Sequence, residues 1–186
     1  YEKFPKTIKN KERLFYEADH SLREIHKRIE KRILDRFDFP PSMQGGIRGR
    51  SLLKNAQLHV KKINIGHFDI KDFYPRIRPS RIYRTFNKLG CSPHVARLLT
   101  RLVTADDHLP QGFGTSTKVA ALALLNIDKR LTKFLRKYGV QHSLWVDDLT
   151  VSGAYPVKKL ASGIRKIFKQ EGFGIHKDEI TYSNER

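Results

Sequence analysis

Asp69 lies within the apolar run Phe68-Asp69-Ile70, and Asp147-Asp148 directly follows Leu144-Trp145-Val146. An acid inside a strand is costly unless it is solvated, paired or bound to a metal. Clustered carboxylates are ligands for hard divalent cations, and Mg²⁺ combines a few of them with substrate phosphates. Two such ions about 3.5–4 Å apart stabilise the attacking and leaving oxygens of an in-line phosphoryl transfer. Taken singly, each acid has a plainer reading. Asp-Asp at a hairpin tip is ordinary turn chemistry, and Asp69 alone fits a salt-bridged strand end.

A second candidate is the Gly-rich stretch Leu109-Pro110-Gln111-Gly112-Phe113-Gly114-Thr115-Ser116. Such a loop lets backbone N–H groups approach a phosphate or a base closely. It lacks the Gly-Lys-Ser/Thr ending of a P-loop and the third glycine of a dinucleotide fingerprint. The eight histidines show no metal-ligand spacing, and each reads as a surface or core residue. Cys91 has no evident base partner.

The elements that must position these groups follow from periodicity. The first 18 residues read as basic and irregular. Ser21-Leu22-Arg23-Glu24 reads as a capping box, and Leu22, Ile25, Ile29 and Ile33 predict an amphipathic helix over about 21–36. Pro40-Pro41 ends it, and a basic loop with Gly45, Gly46 and Gly49 leads to a short helix near 51–62. Alternation predicts a strand over 63–70. Ile82, Tyr83, Phe86 and Leu89 give a helix closed by Gly90. Ser92-Pro93 opens another, with Val95, Leu98, Leu99 and Leu102 on its buried side. A long helix over about 116–138 precedes a hairpin with arms at 142–146 and 149–152 and Asp147-Asp148 at its tip. A helix from Pro156 to Gly172 and a strand near 173–182 complete the order. This is a split βαβ arrangement, an antiparallel sheet with helices on one face, and the fold class is α+β. If the hairpin lies beside the strand of Asp69, the three acids meet at one sheet end.

Composition narrows the setting. The 186 residues include 37 Lys and Arg against 19 Asp and Glu, a net charge of +18. With 39% hydrophobic and 30% charged residues, the balance is that of a globular domain, not a disordered chain. Its strong positive field favours polyanions, nucleic acid above all. No apolar run is long enough to span a membrane, and no secretory signal opens the chain. One cysteine excludes an intrachain disulfide, so a reducing cytoplasm is the expected location. The missing initiator Met suggests a trimmed or partial chain.

In their order these segments resemble a reverse transcriptase of the bacterial retron type. Phe68-Asp69-Ile70-Lys71-Asp72-Phe73-Tyr74 resembles the first catalytic motif, and Trp145-Val146-Asp147-Asp148 the Tyr-x-Asp-Asp box. Leu109-Pro110-Gln111-Gly112 with Thr115-Ser116 resembles the nucleotide-pocket loop. Asn55-Ala56-Gln57-Leu58-His59 resembles the retron Asn-Ala-x-x-His element, and Lys11-Glu12-Arg13-Leu14 a fingers strand. The resemblance implies a right-hand polymerase, with residues 1–62 as fingers and 63–186 as palm carrying inserted fingers helices at about 79–104. It implies that Asp69, Asp147 and Asp148, with the Ile70 carbonyl, bind two Mg²⁺, with Mn²⁺ as a substitute. Arg13 and Lys6 would hold the triphosphate, and backbone N–H groups of Asp72 and Phe73 would face it. Tyr74 would exclude a 2′-hydroxyl, and Gln111 and Gly112 would line the base and template side.

The implied partners are an RNA template, a primer strand and deoxynucleoside triphosphates. A cognate non-coding RNA and a second protein chain or thumb segment are further ones, and retrons bring an association with antiviral defence. Three departures stand out. Trp145 replaces the usual Tyr. Glu179 fills the place of the fourth motif's Lys, with Lys177 two residues earlier as a replacement. The chain stops at Arg186, ahead of any thumb. A catalytically silent RNA-binding module and a metal nuclease are the competing readings. The nuclease leaves Tyr74 and the Gln111-Gly112 loop unexplained.

Overall fold

A computed structural model describes residues 1–8, 11–176 and 181–184. In chain order its elements are β1 (Glu2–Ile8), β2 (Lys11–Glu17), α1 (His20–Arg32), α2 (Leu52–Gln57), β3 (Asn64–Lys71), α3 (Phe73–Arg76), α4 (Pro79–Lys88) and α5 (Pro93–Val103). Then come α6 (Ser116–Arg136), β4 (Val140–Trp145), β5 (Asp148–Gly153), α7 (Val157–Gln170), β6 (Gly174–Ile175) and β7 (Thr181–Asn184). They belong to two compact units. One is Tyr1–Asp38 with Tyr74–Ala123, the other Phe39–Phe73 with Leu124–Arg186.

In the first unit, residues expected to be irregular form an antiparallel hairpin, β1 with β2. Phe4 and Phe15 face each other in register and stack, with ring centroids 6.3 Å apart. Cross-strand aromatic pairs of this kind stabilise a ribbon whose composition looks polar. The N-cap of α1 is Asp19, not Ser21: Asp19 Oδ1 accepts from the Leu22 N–H at 2.9 Å. Asp19 supplies the same short acceptor two residues earlier. The buried face of α1 is His26 and Ile29, while Ile25 and Ile33 are exposed. A 3₁₀ turn at Leu34–Arg36 takes up the rest of the expected helix. Leu22 instead packs on Tyr16, Ala18, Ala105 and Phe113. Helix α5 is capped by Ser92 as expected, but it buries Ala96, Leu99, Thr100 and Val103 and leaves Val95 and Leu98 exposed.

In the second unit the sheet order is β4-β5-β3-β6, with β7 also on β3. All pairs are antiparallel. Side chains alternate along β3: Gly66, Phe68 and Ile70 are buried, while His67 and Lys71 are exposed and Asp69 is half-buried. On β5, Leu149 and Val151 are fully buried. The apolar face is covered by α7, which buries Val157, Leu160, Ala161, Ile164, Ile167 and Phe168. The turn between β4 and β5 is Val146-Asp147. Asp148 is the first residue of β5 and pairs with Trp145, so the hairpin is shifted by one residue from the sequence expectation. The expected terminal strand is seen as β6 and β7; residues 177–180, with Lys177 and Glu179, lie outside the described residues.

Candidate active site

Period-two alternation puts Asp69 on the face of β3 opposite the buried Phe68 and Ile70. Register then brings it to its counterparts. Asp69 and Asp148 are direct cross-strand partners, which places their Cα atoms about 4.5–5.5 Å apart and their side chains on one face. Trp145 is the next member of the same row. The Ile70 N–H donates to the Asp147 carbonyl at 3.0 Å. The three acids picked from sequence therefore share one end of one sheet.

The turn that presents Asp147 is strained. Val146 has φ 60°, at a two-residue hairpin position that ordinarily favours glycine. Gly45 packs against it: a Cβ added there would lie 2.4 Å from the Val146 amide nitrogen. The surrounding loop runs along the edge of β4, with the Leu144 N–H donating to Ser42 O at 2.7 Å and the Gln44 N–H to Leu144 O at 2.8 Å. Behind the row, buried His59 spans the two arms of the hairpin. Its Nδ1 lies 2.7 Å from Ser152 Oγ and its Nε2 2.8 Å from Ser143 Oγ. Burial first, then neighbouring His67, His142 and Lys62, push the His59 imidazole down to about 4.

Two of these residues carried no separate signal in the sequence. His176 was one of eight unplaced histidines; its Nε2 lies 3.6 Å from Asp69 Oδ2, and its N–H donates to Asp69 O at 3.0 Å. Gly45 read only as part of a loop. His59 was visible through the Asn-Ala-x-x-His element, though not its role in joining β4 to β5.

Asp72 sits at φ 49° at the sharp passage from β3 into α3, a conformation Asp tolerates better than most residues. Phe73 is buried, with its ring 6.1 Å from that of Phe173. Any contact of Phe73 with a ligand therefore falls to its backbone. Tyr74 follows in α3, half-buried.

The first unit holds the remaining residues. Lys6 and Arg13 are direct cross-strand partners on the β1–β2 hairpin, and among the described residues neither forms an ion pair. Like charges directly opposed destabilise a ribbon, so the pair is suited to an anion. Gln111 O accepts from the Tyr16 N–H at 2.9 Å. Gly112 has φ 121°, and an added Cβ would come within 2.3 Å of Tyr16 O. The close approach expected of this glycine is thus made to strand β2 itself. Ser116 Oγ ties off the loop by donating to Pro110 O at 2.6 Å.

Among the described residues, no group of three or more His, Cys, Asp or Glu side chains is close enough together to hold a metal ion by itself. The oxygen donors at the sheet end are carboxylates and backbone carbonyls, with the His176 imidazole 3.6 Å from Asp69 Oδ2. That set fits Mg²⁺, which commonly takes one or two carboxylates and completes its shell with water and substrate phosphate.

The sequence profile of the family described as reverse transcriptase (RNA-dependent DNA polymerase) matches residues 4–182. The retron Se72 reverse transcriptase of Salmonella heidelberg is 36% identical over 148 residues, covering 78% of this chain and 39% of that protein. The retron Ec86 reverse transcriptase of Escherichia coli is 27% identical over 177 residues, covering 94% of this chain and 55% of that protein. The chain thus spans 39% and 55% of the length of these two relatives. Among solved structures, apo telomerase from Candida tropicalis superposes with a TM-score of 0.60 at 11% identity, covering 88% of this chain and 35% of that one. Telomerase from Candida albicans, in complex with the TWJ fragment of telomeric RNA, gives a TM-score of 0.53 at 14% identity, over 92% and 31%. At these identities the likeness is one of fold, and it agrees with the expected α+β fingers-and-palm class.

Proposed function

The chain belongs to the reverse transcriptase family, its curated relatives are of the retron type, and on that premise we propose that it is the fingers-and-palm portion of an RNA-directed DNA polymerase. The observation that carries this reading is the Asp69–Asp148 register, with Asp147 bonded to the neighbouring Ile70. Asp69, Asp147 and Asp148, helped by the Ile70 carbonyl, would hold two Mg²⁺ or Mn²⁺ ions. When bound, these supply charge neutralisation for phosphoryl transfer.

The chain's own residues position the reactants. Val146, braced by Gly45, fixes the direction of Asp147, and His59 locks the two arms that carry the turn. The primer 3′-hydroxyl gives up its proton to water as its oxygen bonds to the α-phosphorus of a deoxynucleotide, and the bond from that phosphorus to pyrophosphate, the leaving group, breaks. Positioning and electrostatics make up most of what a protein contributes to such a transfer. In the first unit, Lys6 and Arg13 form the triphosphate clamp, and the repulsion between them is relieved when phosphate binds. Tyr74 selects against a 2′-hydroxyl. Gln111 and Gly112 face the base and template, and Lys177 takes the place of the fourth-motif Lys. An RNA template, a primer strand and deoxynucleoside triphosphates are the substrates, and a cognate RNA is the natural partner of a chain at +18.

Primer extension on an RNA template tests the proposal. Asp147→Asn with Asp148→Asn abolishes Mg²⁺-dependent extension and leaves RNA binding intact; unchanged extension would remove the assignment. A silent RNA-binding scaffold, favoured by Trp145 in the row of the acids, predicts binding with no extension by the parent either.

A further inference from the structure

Helix α6 carries two kinds of cation near its C-terminal end. Arg130 is neutralised: its Nη1 meets Glu171 Oε1 at 2.6 Å, and its Nη2 donates to Gln170. Lys129, Lys133, Arg136 and Lys137 are exposed, and among the described residues none of them forms an ion pair. Lys129, Lys133 and Arg136 fall at i, i+4 and i+7 and so stand on one stripe of the helix, which Lys137, the residue directly after α6, extends. At 1.5 Å per residue the stripe is about 12 Å long.

The four cations line a groove of ≈ 1290 Å³ whose other wall includes Pro40 and Pro41. The acid among the lining residues, Asp128, is buried; its Oδ1 accepts from Ser42 Oγ at 2.5 Å and lies 2.9 Å from His142 Nε2. It therefore offers the stripe no counter-charge at the surface. The helix dipole favours cations in the last turn, which covers Lys133 and Arg136 but not Lys129 or the apolar wall. Val140 lines the groove at the start of β4, and the strand runs from there to Trp145 beside the acids. Of the lining residues on β4, His142 stands nearest the acids, three steps or about 10 Å along the strand from Trp145, so the groove opens away from the carboxylate row.

We propose that this groove binds an RNA strand, its phosphates along the stripe and its sugars or bases against Pro40 and Pro41. A stacked strand carries about one charge per 3.4 Å, so the stripe's length of about 12 Å spans three to four phosphates, as many as it has cations. Thr132 and Gln141, also in the lining, supply the neutral polar groups that a 2′-hydroxyl takes. The choice of RNA rests on the family reading, in which RNA is the template. The binding itself requires no catalysis.

The test measures binding of a labelled, unstructured single-stranded RNA to the full chain in EDTA across a salt series. The stripe variant is Lys129→Gln, Lys133→Gln, Arg136→Gln and Lys137→Gln. The control, Lys158→Gln, Lys159→Gln, Lys166→Gln and Lys169→Gln, removes the same charge from exposed positions on α7. The stripe variant should bind at least about tenfold more weakly than the control, with the slope of log affinity against log salt flattened by about 3. The pair Lys129→Gln and Lys133→Gln should flatten it by about half as much. Equal losses in stripe variant and control would overturn the proposal, reducing the effect to net charge. Equal loss for DNA of the same sequence would overturn the choice of RNA. Unchanged RNA affinity, with polyglutamate bound by the parent and not by the variant, would reassign the groove to an acidic protein. Failure of the polymerase reading shows instead in primer extension, a separate assay.

Discussion

The chain contains two Asp-Asp dipeptides in opposite electrostatic settings. Asp106-Asp107 occupies a turn in which both residues have positive φ, 45° and 60°. Lys3 Nζ at 2.9 Å, Tyr1 OH at 2.9 Å and Tyr16 OH at 3.0 Å all donate to Asp106, and with the Lys3 bond foremost they hold its carboxyl down to about 2. Asp107 Oδ2 lies 3.3 Å from Arg78. At Asp147-Asp148 the positive φ falls on Val146 instead, and the cross-strand partner of Asp148 is a third acid, Asp69. The first dipeptide is satisfied by the protein's own cations. The second lies across the strand from another acid, with the His176 imidazole 3.6 Å from Asp69 Oδ2. Turn propensity is common to both; register and neighbours separate structure from chemistry.

The largest expected effect tests that difference directly. Asp69→Asn should lower primer extension by about 10³-fold or more, given several kcal/mol of charge stabilisation at about 1.4 kcal/mol per decade. Asp106→Asn should leave the rate unchanged. Equal losses in the two rates would erase the contrast. Next, Gly45→Ala drives a methyl into the Val146 turn and should reduce extension by about 10²-fold. The Mg²⁺ concentration for half-maximal extension should rise with it; a drop in melting temperature with unaltered Mg²⁺ dependence would make Gly45 merely structural.

Lys118 shows what a cation between acids is worth inside the fold. Its Nζ meets Glu30 at 2.5 Å and Asp35 at 2.6 Å, and its side chain is 10% exposed. Burial works to lower the ammonium pKa, yet the bonds to Asp35 and Glu30 outweigh it and the pKa is raised. Lys118→Met should cost about 2 kcal/mol in urea unfolding, with little change in extension beyond that lost to unfolding.

The smallest effect is in pH dependence. Asp106 has a folded pKa of about 2, below its unfolded value near 3.9. Its contribution to stability is complete above pH ~4 and is lost as pH falls toward 2. Asp106→Asn should remove that limb from the unfolding midpoint. His59, near 4 when folded, takes up its proton more readily when unfolded. It should make the parent less stable as pH falls from about 6.5 to 4.

Much of this architecture was legible in the sequence because periodicity reports burial. Strand β3, helix α6, helix α7 and the β4–β5 hairpin were all foreseen within a few residues. The acids were legible because charge beside Phe68, Ile70 and Leu144 is costly and so needs a reason. Of the N-terminal hairpin, periodicity showed nothing; the resemblance gave a strand at Lys11-Glu12-Arg13-Leu14, which lies in β2, but not its partner β1, because the ribbon's stability comes from Phe4 on Phe15 and pairing is not written in either strand alone. The buried side of α5 was misjudged for a related reason. Several apolar residues competed for one face, and packing chose Ala96 and Thr100 over Val95 and Leu98. Gly45 and His176 emerged only with tertiary proximity.

The missing side chain of Gly112 has a mechanical consequence. With the Gln111 carbonyl bonded to the Tyr16 amide and no atoms to spare between Gly112 and that strand, the ribbon bearing Lys6 and Arg13 cannot tilt without dragging the Gln111 loop along. A hinge that moves one moves both, so a bulkier residue at 112 would uncouple the lever before it altered any charge.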